Sequence, residues 1–316
     1  MTDRRTFLAS LAAMGVASRA GRARPAHAQA PAPAAQPTGS KATGIQKSTL
    51  ISMLPKERTY AERFAIARDA GFAGIEMQTV TRSDEAAEIR DAAAATGLKI
   101  HSVMNMDHWR LPLSSGDPEV VKGSVAGMET SLRNAALWGA DAVLLVPAVV
   151  DAATSYQEAW TRSQRVIKER LLPMAGDLRV TIAVEEVWNK FLLSPLEFVR
   201  YVDDFQSPWL RAYFDVGNVV IHAFPQDWIR TLGPRIVKIH LKDFQFDRKN
   251  ARFAWKNIGE GDIDWPEVRR ALTEINYTGY VTTELAGGDA AYLKDVSTRV
   301  DRFLAGEKPF AGTPSG

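Results

Sequence analysis

The chain contains no cysteine. That excludes a disulfide framework, a lipid-attachment thiol and any thiolate metal site. Long apolar runs are missing too. The one membrane-like segment is a short N-terminal stretch, well under the roughly 20 residues that a spanning helix needs, so no stable membrane insertion is expected of the rest. No Gly-rich phosphate turn follows the first strand candidate, which argues against an open doubly wound nucleotide fold. Charge of either sign is nearly absent in the balance: 39 Lys and Arg against 37 Asp and Glu give a net of +2.

What is present begins with "MTDRRTFLASLAAMGVASRAGRARPAHAQA". Arg4 and Arg5 stand before Thr6, Phe7 and Leu8; a weakly apolar stretch follows, then a small-residue site at Ala26-His27-Ala28. This is the layout of a twin-arginine export signal over residues 1–28, and it predicts a periplasmic protein. Five arginines and one aspartate give that segment a charge of +4, so removing it takes the chain from +2 to −2. The basic character belongs to the signal, and no nucleic-acid footprint remains. Residues 29–44, "QAPAPAAQPTGSKATG", read as a disordered linker and residues 309–316 as a flexible tail. The span 45–308 suits one large core.

Along that span short apolar runs alternate with amphipathic stretches. Strands are expected at 48–54, 74–78, 99–105, 142–148, 181–187, 210–216, 236–243 and 280–285. Helices are expected at 59–70, 83–96, 118–138, 155–175, 194–204, 225–232, 265–275 and 289–305. Ser83, Asp117-Pro118 and Ser194-Pro195 supply starts, and Gly71, Gly97 and Gly139 supply stops. Eight strand–helix alternations predict α/β architecture: a single-domain (β/α)₈ TIM barrel, with an open doubly wound sheet as the alternative.

Side chains alternate along a strand, so one phase meets the helices and the other meets the barrel axis. In the fifth strand Ile182 and Val184 take the outer phase, which leaves Glu185 inward and Glu186 toward the outer layer or a loop. Phe214 outward puts Asp215 inward. Val237, Ile239 and Leu241 outward put His240 inward. Val281, Thr283 and Leu285 outward leave Glu284 inward. Four successive strands thus aim Glu185, Asp215, His240 and Glu284 at the barrel's C-terminal mouth, where barrel active sites are built. Three carboxylates in one small volume repel unless a cation neutralises them. Oxygen and imidazole ligands without sulfur suit one divalent metal ion, Mn²⁺ first, with Mg²⁺, Co²⁺, Fe²⁺ or Zn²⁺ as alternatives.

The stretches "TIAVEEVWNKFLLSP", "AYFDVGN", "VKIHLKDF", "NIGEGDIDW" and "GYVTTEL" resemble the sugar phosphate isomerase/epimerase family with the xylose isomerase-like barrel, over about residues 47–305. The branch most resembled holds the pentulose-phosphate and ketose 3-epimerases. The resemblance implies that Glu185, Asp215, His240 and Glu284 bind the ion and that Glu185 and Glu284 are catalytic, moving a proton off and onto a carbon beside a ketone through a metal-stabilised enediolate. It implies a small-molecule sugar as the partner, with homo-oligomerisation possible. The same apparatus supports aldose–ketose isomerisation or, if a β-substituent leaves, elimination.

Further substrate-binding candidates are His108 and Trp109, Trp188 and Asn189 beside Glu185, Glu76 inward in the second strand, His101 in the third, and Lys242 and Glu260 in the "HLKD" and "GEG" contexts. His222 reads as structural. Where many free-ketose epimerases resemble "D-x-x-H", this chain has "DVGN" with Asn218, nearer the phosphopentulose branch. Export argues the other way, for a non-phosphorylated sugar or keto-sugar, and no Ser/Gly/Lys cluster in the last loops makes a phosphate cradle. The alternatives are a 3-keto-glycoside lyase or hydrolase using the same metal site, and a non-catalytic carbohydrate-binding barrel. An abasic-site endonuclease on this fold needs many histidines, and only His101, His108, His222 and His240 lie beyond the leader.

Overall fold

The computed structural model describes residues 44–310. The expected signal (1–28), nearly all of the linker (29–44) and residues 311–316 of the expected tail fall outside the described residues. Eight parallel strands close into a barrel: β1 (Gln46–Leu50), β2 (Gly74–Gln78), β3 (Lys99–Met104), β4 (Ala142–Leu145), β5 (Thr181–Glu185), β6 (Leu210–Asp215), β7 (Ile236–Leu241) and β10 (Tyr280–Thr283). The chain adds each strand beside the last, and β10 closes the ring between β7 and β1. Around it lie α1 (Tyr60–Ala70), α2 (Ser83–Thr96), α3 (Pro118–Trp138), α4 (Tyr156–Val166), α5 (Leu172–Leu178), α6 (Pro195–Asp203), α7 (Pro225–Leu232), α8 (Trp265–Glu274) and α9 (Ala290–Leu304). The expected (β/α)₈ barrel is therefore the fold. Among the described residues no helix is long and apolar enough to cross a membrane.

Local chemistry explains the boundaries. Thr59 and Ser155 open α1 and α4 with capping boxes; Asp117 and Ser194 each cap a helix with proline in its first turn. Gly71, Gly97 and Gly139 end three helices with φ of 103°, 71° and 69°, the left-handed region that glycine enters without a Cβ clash. Ser83 is the first residue of α2, as expected, and Arg82 before it makes no side-chain cap. One expectation shifts. The helix expected over 155–175 is interrupted by a π-turn at Ile167–Leu171. Pro173 has no N–H to give to the preceding turn, and the ladder widens there.

The apolar core is the layer between strands and helices, where Ile182, Val184, Phe214, Ile239, Leu241 and Val281 are buried as their phase requires. A second, smaller cluster of Ala142, Leu144, Ala183 and Tyr213 fills part of the barrel interior. Val237 departs from the alternation. Ala212 and Tyr213 pair with Ile236 and Lys238, which leaves Val237 in a bulge that packs it on the inner cluster instead of the helices. His240 keeps its inward aim because the bulge lies before it. A matching shift on β3 skips His101, between Ile100 and Ser102.

One feature was not expected. After β7 the chain makes an antiparallel hairpin, β8 (Asp243–Asp247) and β9 (Arg252–Lys256), which pairs only with itself. Asp243 anchors it. Its fully buried carboxylate accepts from the backbone N–H of Phe244 and Gly259 at 2.9 Å, of Ile263 at 3.4 Å, and from Trp265 Nε1 at 2.8 Å. Gly261 of "GEG" must be glycine, because a Cβ there would fall 2.2 Å from Asp243 Oδ1. Pro309, at the start of the expected tail, is buried, and the Phe310 ring lies 4.4 Å from the Arg299 guanidinium, so the ordered body runs slightly past residue 308.

Candidate metal centre

Strands β5, β6 and β7 end in Glu185, Asp215 and the His240 region, and Glu284 follows β10 directly, held by its N–H to Leu241 O at 3.0 Å. One ligand atom from each of these four residues lies within 4.8 Å of all the others. His240 Nδ1 is the hub: 2.8 Å from Glu185 Oε1, 3.6 Å from Glu284 Oε2 and 3.8 Å from Asp215 Oδ2. All but Glu284 are buried, and its side chain keeps 27 % exposure, so the cluster opens to solvent on that side.

The electrostatics are strained without a cation. Burial pushes Glu185 up to about 7, with Glu284 and Asp215 adding to the shift and His240 opposing it. Burial also lifts Asp215. Burial would lift Glu284 likewise, but His240 and Lys242 outweigh it and hold the carboxyl down to about 2. Burial works against a charged His240, yet Glu284, Glu76 and Glu185 together hold it well above the usual imidazole range. Lys242 Nζ lies 2.9 Å from Asp215 Oδ2 and 2.6 Å from Glu284 Oε2, so its ammonium carries part of the neutralising charge. Asp215 Oδ2 is buried and has that ion pair but no well-aligned hydrogen bond, whereas Oδ1 accepts from the N–H groups of Gly217 and Asn218. Three carboxylate oxygens and an imidazole nitrogen converging on one point fit a single divalent ion with hard-to-intermediate ligand preference.

Glu76, a substrate-binding candidate, is placed against His240. It points inward, as its phase requires, but its fully buried carboxylate lies beneath the cluster, where Oε1 meets His240 Nε2 at 2.9 Å and Oε2 accepts from Ser102 Oγ and Tyr213 Oη at 2.5 Å. With Nε2–H donated to Glu76, Nδ1 faces the three carboxylates, and an ion that displaced its proton would meet the Nδ1 lone pair. That is the support an imidazole ligand requires. His101 is buried. It sits in the barrel floor, 2.6 Å from Ser48 Oγ and 3.1 Å from Thr282 Oγ1, stacked on Tyr280 at 4.2 Å; burial keeps it well below the usual imidazole range.

Asn189 and Glu260 are both bonded within the protein. Asn189 is buried as a loop clamp, donating to Ala148 O at 2.7 Å and accepting from Phe191 N at 3.1 Å. Glu260 pairs with Arg299 of α9 at 2.8 Å. Glu186 is buried against the end of β6, where Oε1 accepts from Asp215 N at 2.9 Å, and burial holds its carboxyl well above the usual range.

The remaining candidates share a cavity of about 260 Å³ at the mouth. Glu185, Glu284, Lys242, His108, Trp109 and Trp188 line it, together with Trp255 of the hairpin. His108 is buried, has no partner for Nδ1 among the described residues, and is pushed down to about 4 by burial, so it is neutral. Trp255 was not expected here. The alternation of "FQF" and "FAW" about the turn "DRKNA" is a hairpin signal that could have placed it. His222 lies away from the cavity, near Trp228 at 6.0 Å.

A family model described as the xylose isomerase-like TIM barrel matches residues 64–299. The chain is 28 % identical over 248 residues to L-ribulose-5-phosphate 3-epimerase UlaE of Escherichia coli O1:K1 / APEC, covering 73 % of this chain and 84 % of that protein. Among solved structures it is similar to an L-ribulose 3-epimerase, with TM-score 0.69, 19 % identity and coverage of 83 % and 95 % of the two chains. It is also similar to the 3-keto-D-glucoside 4-epimerase YcjR from E. coli, with TM-score 0.67, 15 % identity and coverage of 83 % and 99 %. Both structures share its fold.

Proposed function

The chain belongs to the xylose isomerase-like TIM barrel family, and from that premise we propose that it is a divalent-metal-dependent sugar epimerase or isomerase acting on a non-phosphorylated sugar or keto-sugar. The observation that carries the reading is the convergence of Glu185, Asp215, His240 and Glu284 at the mouth of a closed barrel. The curated relative, an L-ribulose-5-phosphate 3-epimerase, supports epimerisation as the reaction class.

Glu185, Asp215, His240 and Glu284 would hold the ion. When bound, the ion supplies Lewis acidity toward a ketone oxygen and the negative charge that collects there when the adjacent C–H is broken. Glu185 and Glu284 come from the ends of strands to either side of β7 in the ring, reach within 2.8 and 3.6 Å of His240 Nδ1, and both line the cavity. One carboxylate takes the proton from one face of the carbon; the other returns a proton to the opposite face, and the two roles exchange in the reverse direction. Proton exchange with water through the open Glu284 side resets the pair. Lys242, bonded to Asp215 and Glu284, orients the second carboxylate. His108, neutral and buried, offers a hydrogen bond to a sugar hydroxyl, and Trp109 and Trp188 offer faces to its C–H surface. Export through the twin-arginine route is part of the same proposal, and it favours a substrate without phosphate.

Proton NMR of ketoses in D₂O with Mn²⁺-loaded protein tests the reading. Deuterium should enter at one carbon without bond cleavage. Glu185→Gln and Glu284→Gln should each lower that exchange by about 10²- to 10⁴-fold, the usual size of a lost general acid or base. Unchanged turnover in both variants rules out proton transfer by this pair.

A further inference from the structure

Among the exposed large aromatic side chains, three line the mouth cavity, Trp109, Trp188 and Trp255, and a fourth, Phe253, packs on Trp188 beside it. Trp109 is 51 % exposed, Trp188 41 %, Phe253 55 % and Trp255 45 %. Isolated exposed aromatics are ordinary; a contiguous group on the rim of a cavity marks a binding surface. The hairpin register makes the group contiguous. Phe244 pairs with Trp255 and Phe246 with Phe253, so all four point to one side of the two-stranded ribbon. That side meets Trp188: its ring stacks on Trp255 at 5.2 Å and meets Phe253 edge-on at 5.6 Å.

The surface is held in place. Phe244 is fully buried beneath it, edge-on to both Trp188 and Trp255 at 5.6 and 5.0 Å. Trp188 Nε1 donates to Asn218 O at 3.0 Å, and Lys242 Nζ lies 4.8 Å from the Trp255 ring centroid. These contacts leave the outer ring surfaces to solvent and fix their orientation beforehand, which reduces the ordering cost of binding.

Trp188 and Trp255 line the same cavity as Glu185 and Glu284, so whatever covers them is continuous with whatever reaches the carboxylates. The lining offers no uncommitted cation to a phosphate there. Lys242 is the single cationic group among the lining residues, and it is already committed to Asp215 and Glu284; His108 is neutral. An apolar, rigid, flat wall beside two carboxylates suits a ring with an apolar face. A second copy of the chain docked on the wall would instead seal the mouth that the carboxylates need.

We infer that the Trp188–Phe253–Trp255 wall is a subsite for a second ring, so that the substrate is a keto-glycoside whose ketone-bearing sugar lies over Glu185 and Glu284 while its aglycone ring stacks on the hairpin. The inference rests on the proposed sugar chemistry and names the substrate class for it.

The test compares affinities on the Mn²⁺-loaded protein by calorimetry, with cellobiose and phenyl β-D-glucopyranoside as two-ring probes and D-fructose as the one-ring probe. The two-ring probes should bind about tenfold tighter or more, about 1.4 kcal/mol per tenfold. Trp255→Ala should collapse that ratio to about one, and Trp255→Phe, which keeps a flat ring, should restore most of it. Cellobiose binding with no phenyl glucoside preference, or the reverse, identifies the ring as sugar or aryl and supports the subsite in either case. Equal affinity for one- and two-ring probes overturns it. So does a ratio that survives Trp255→Ala, above all if that variant changes the sedimentation coefficient, which would make the wall an interface between copies. L-Ribulose 5-phosphate binding more tightly than L-ribulose would also overturn it. An intact ratio without solvent deuterium entering any ketose or keto-glycoside keeps the subsite and rejects the epimerase reading, so the two failures are distinguishable.

Discussion

Glu76 offers a decisive perturbation, because it touches the proposed ion only through His240. Its Oε1 takes the Nε2 proton of His240 at 2.9 Å, and its Oε2 takes the hydroxyl protons of Ser102 and Tyr213 at 2.5 Å. Glu76→Gln keeps the shape and an acceptor oxygen for Nε2 but removes the charge that makes Nδ1 a strong donor. Loss of such support weakens metal affinity by about 10- to 100-fold, equivalent to about 1.4–2.7 kcal/mol. Glu76→Ala removes more. Two buried hydroxyls and a ring N–H lose their acceptor, each at about 1–3 kcal/mol, so unfolding stability should fall along with metal affinity. Titration with Mn²⁺, following the resonance of the free ion by electron paramagnetic resonance, reads affinity without any substrate. Wild-type Mn²⁺ affinity in Glu76→Gln would refute the orienting role. So would a Gln variant that unfolds as readily as the Ala variant, since Glu76 would then serve the fold alone.

Two further outcomes follow from groups away from the mouth. Asp243→Ala leaves the N–H groups of Phe244, Gly259 and Trp265 without their buried acceptor, so denaturant unfolding should show a loss of about 3 kcal/mol and amide exchange should quicken in residues 243–256; a loss below about 1 kcal/mol counts against the anchor. His101 is buried with its proton affinity depressed, so an unfolded chain binds a proton there that the folded chain does not. Its contribution is intact above the unfolded imidazole value of about 6.5 and is lost as pH falls below it, by about 1.4 kcal/mol per pH unit. His101→Gln should therefore flatten the fall in urea midpoint between about pH 6.5 and 5, and an unchanged slope would locate the acid sensitivity elsewhere.

The barrel and its inward carboxylates could be read from the chain because both follow from a period of two. Ile182 and Val184, or Ile239 and Leu241, must face the helices, and the polar residue beside them then has only the axis to face. That reasoning fails wherever the backbone breaks the period. The bulges at Val237 and His101 are shifts of hydrogen-bond register that no side-chain pattern announces. It fails too for polar residues whose partners come from distant segments. Asn189 is spoken for by Ala148, and Glu260 by Arg299. The phase places Glu76 inward, but its contact with His240 depends on depth along the strand, which phase does not give. The hairpin was overlooked because Asp243 was read as the end of a strand rather than the start of another.

Because the hairpin has no ladder to the barrel and is tied down through Asp243 and Gly261, it can be treated as a replaceable cassette. A mutant library confined to 244–256 would vary what the mouth admits while leaving untouched the strands that the eight-membered ring needs to close. Selectivity and folding are thereby written in separate parts of the gene, which makes this enzyme scaffold easier to retarget than one whose specificity loops also carry the sheet.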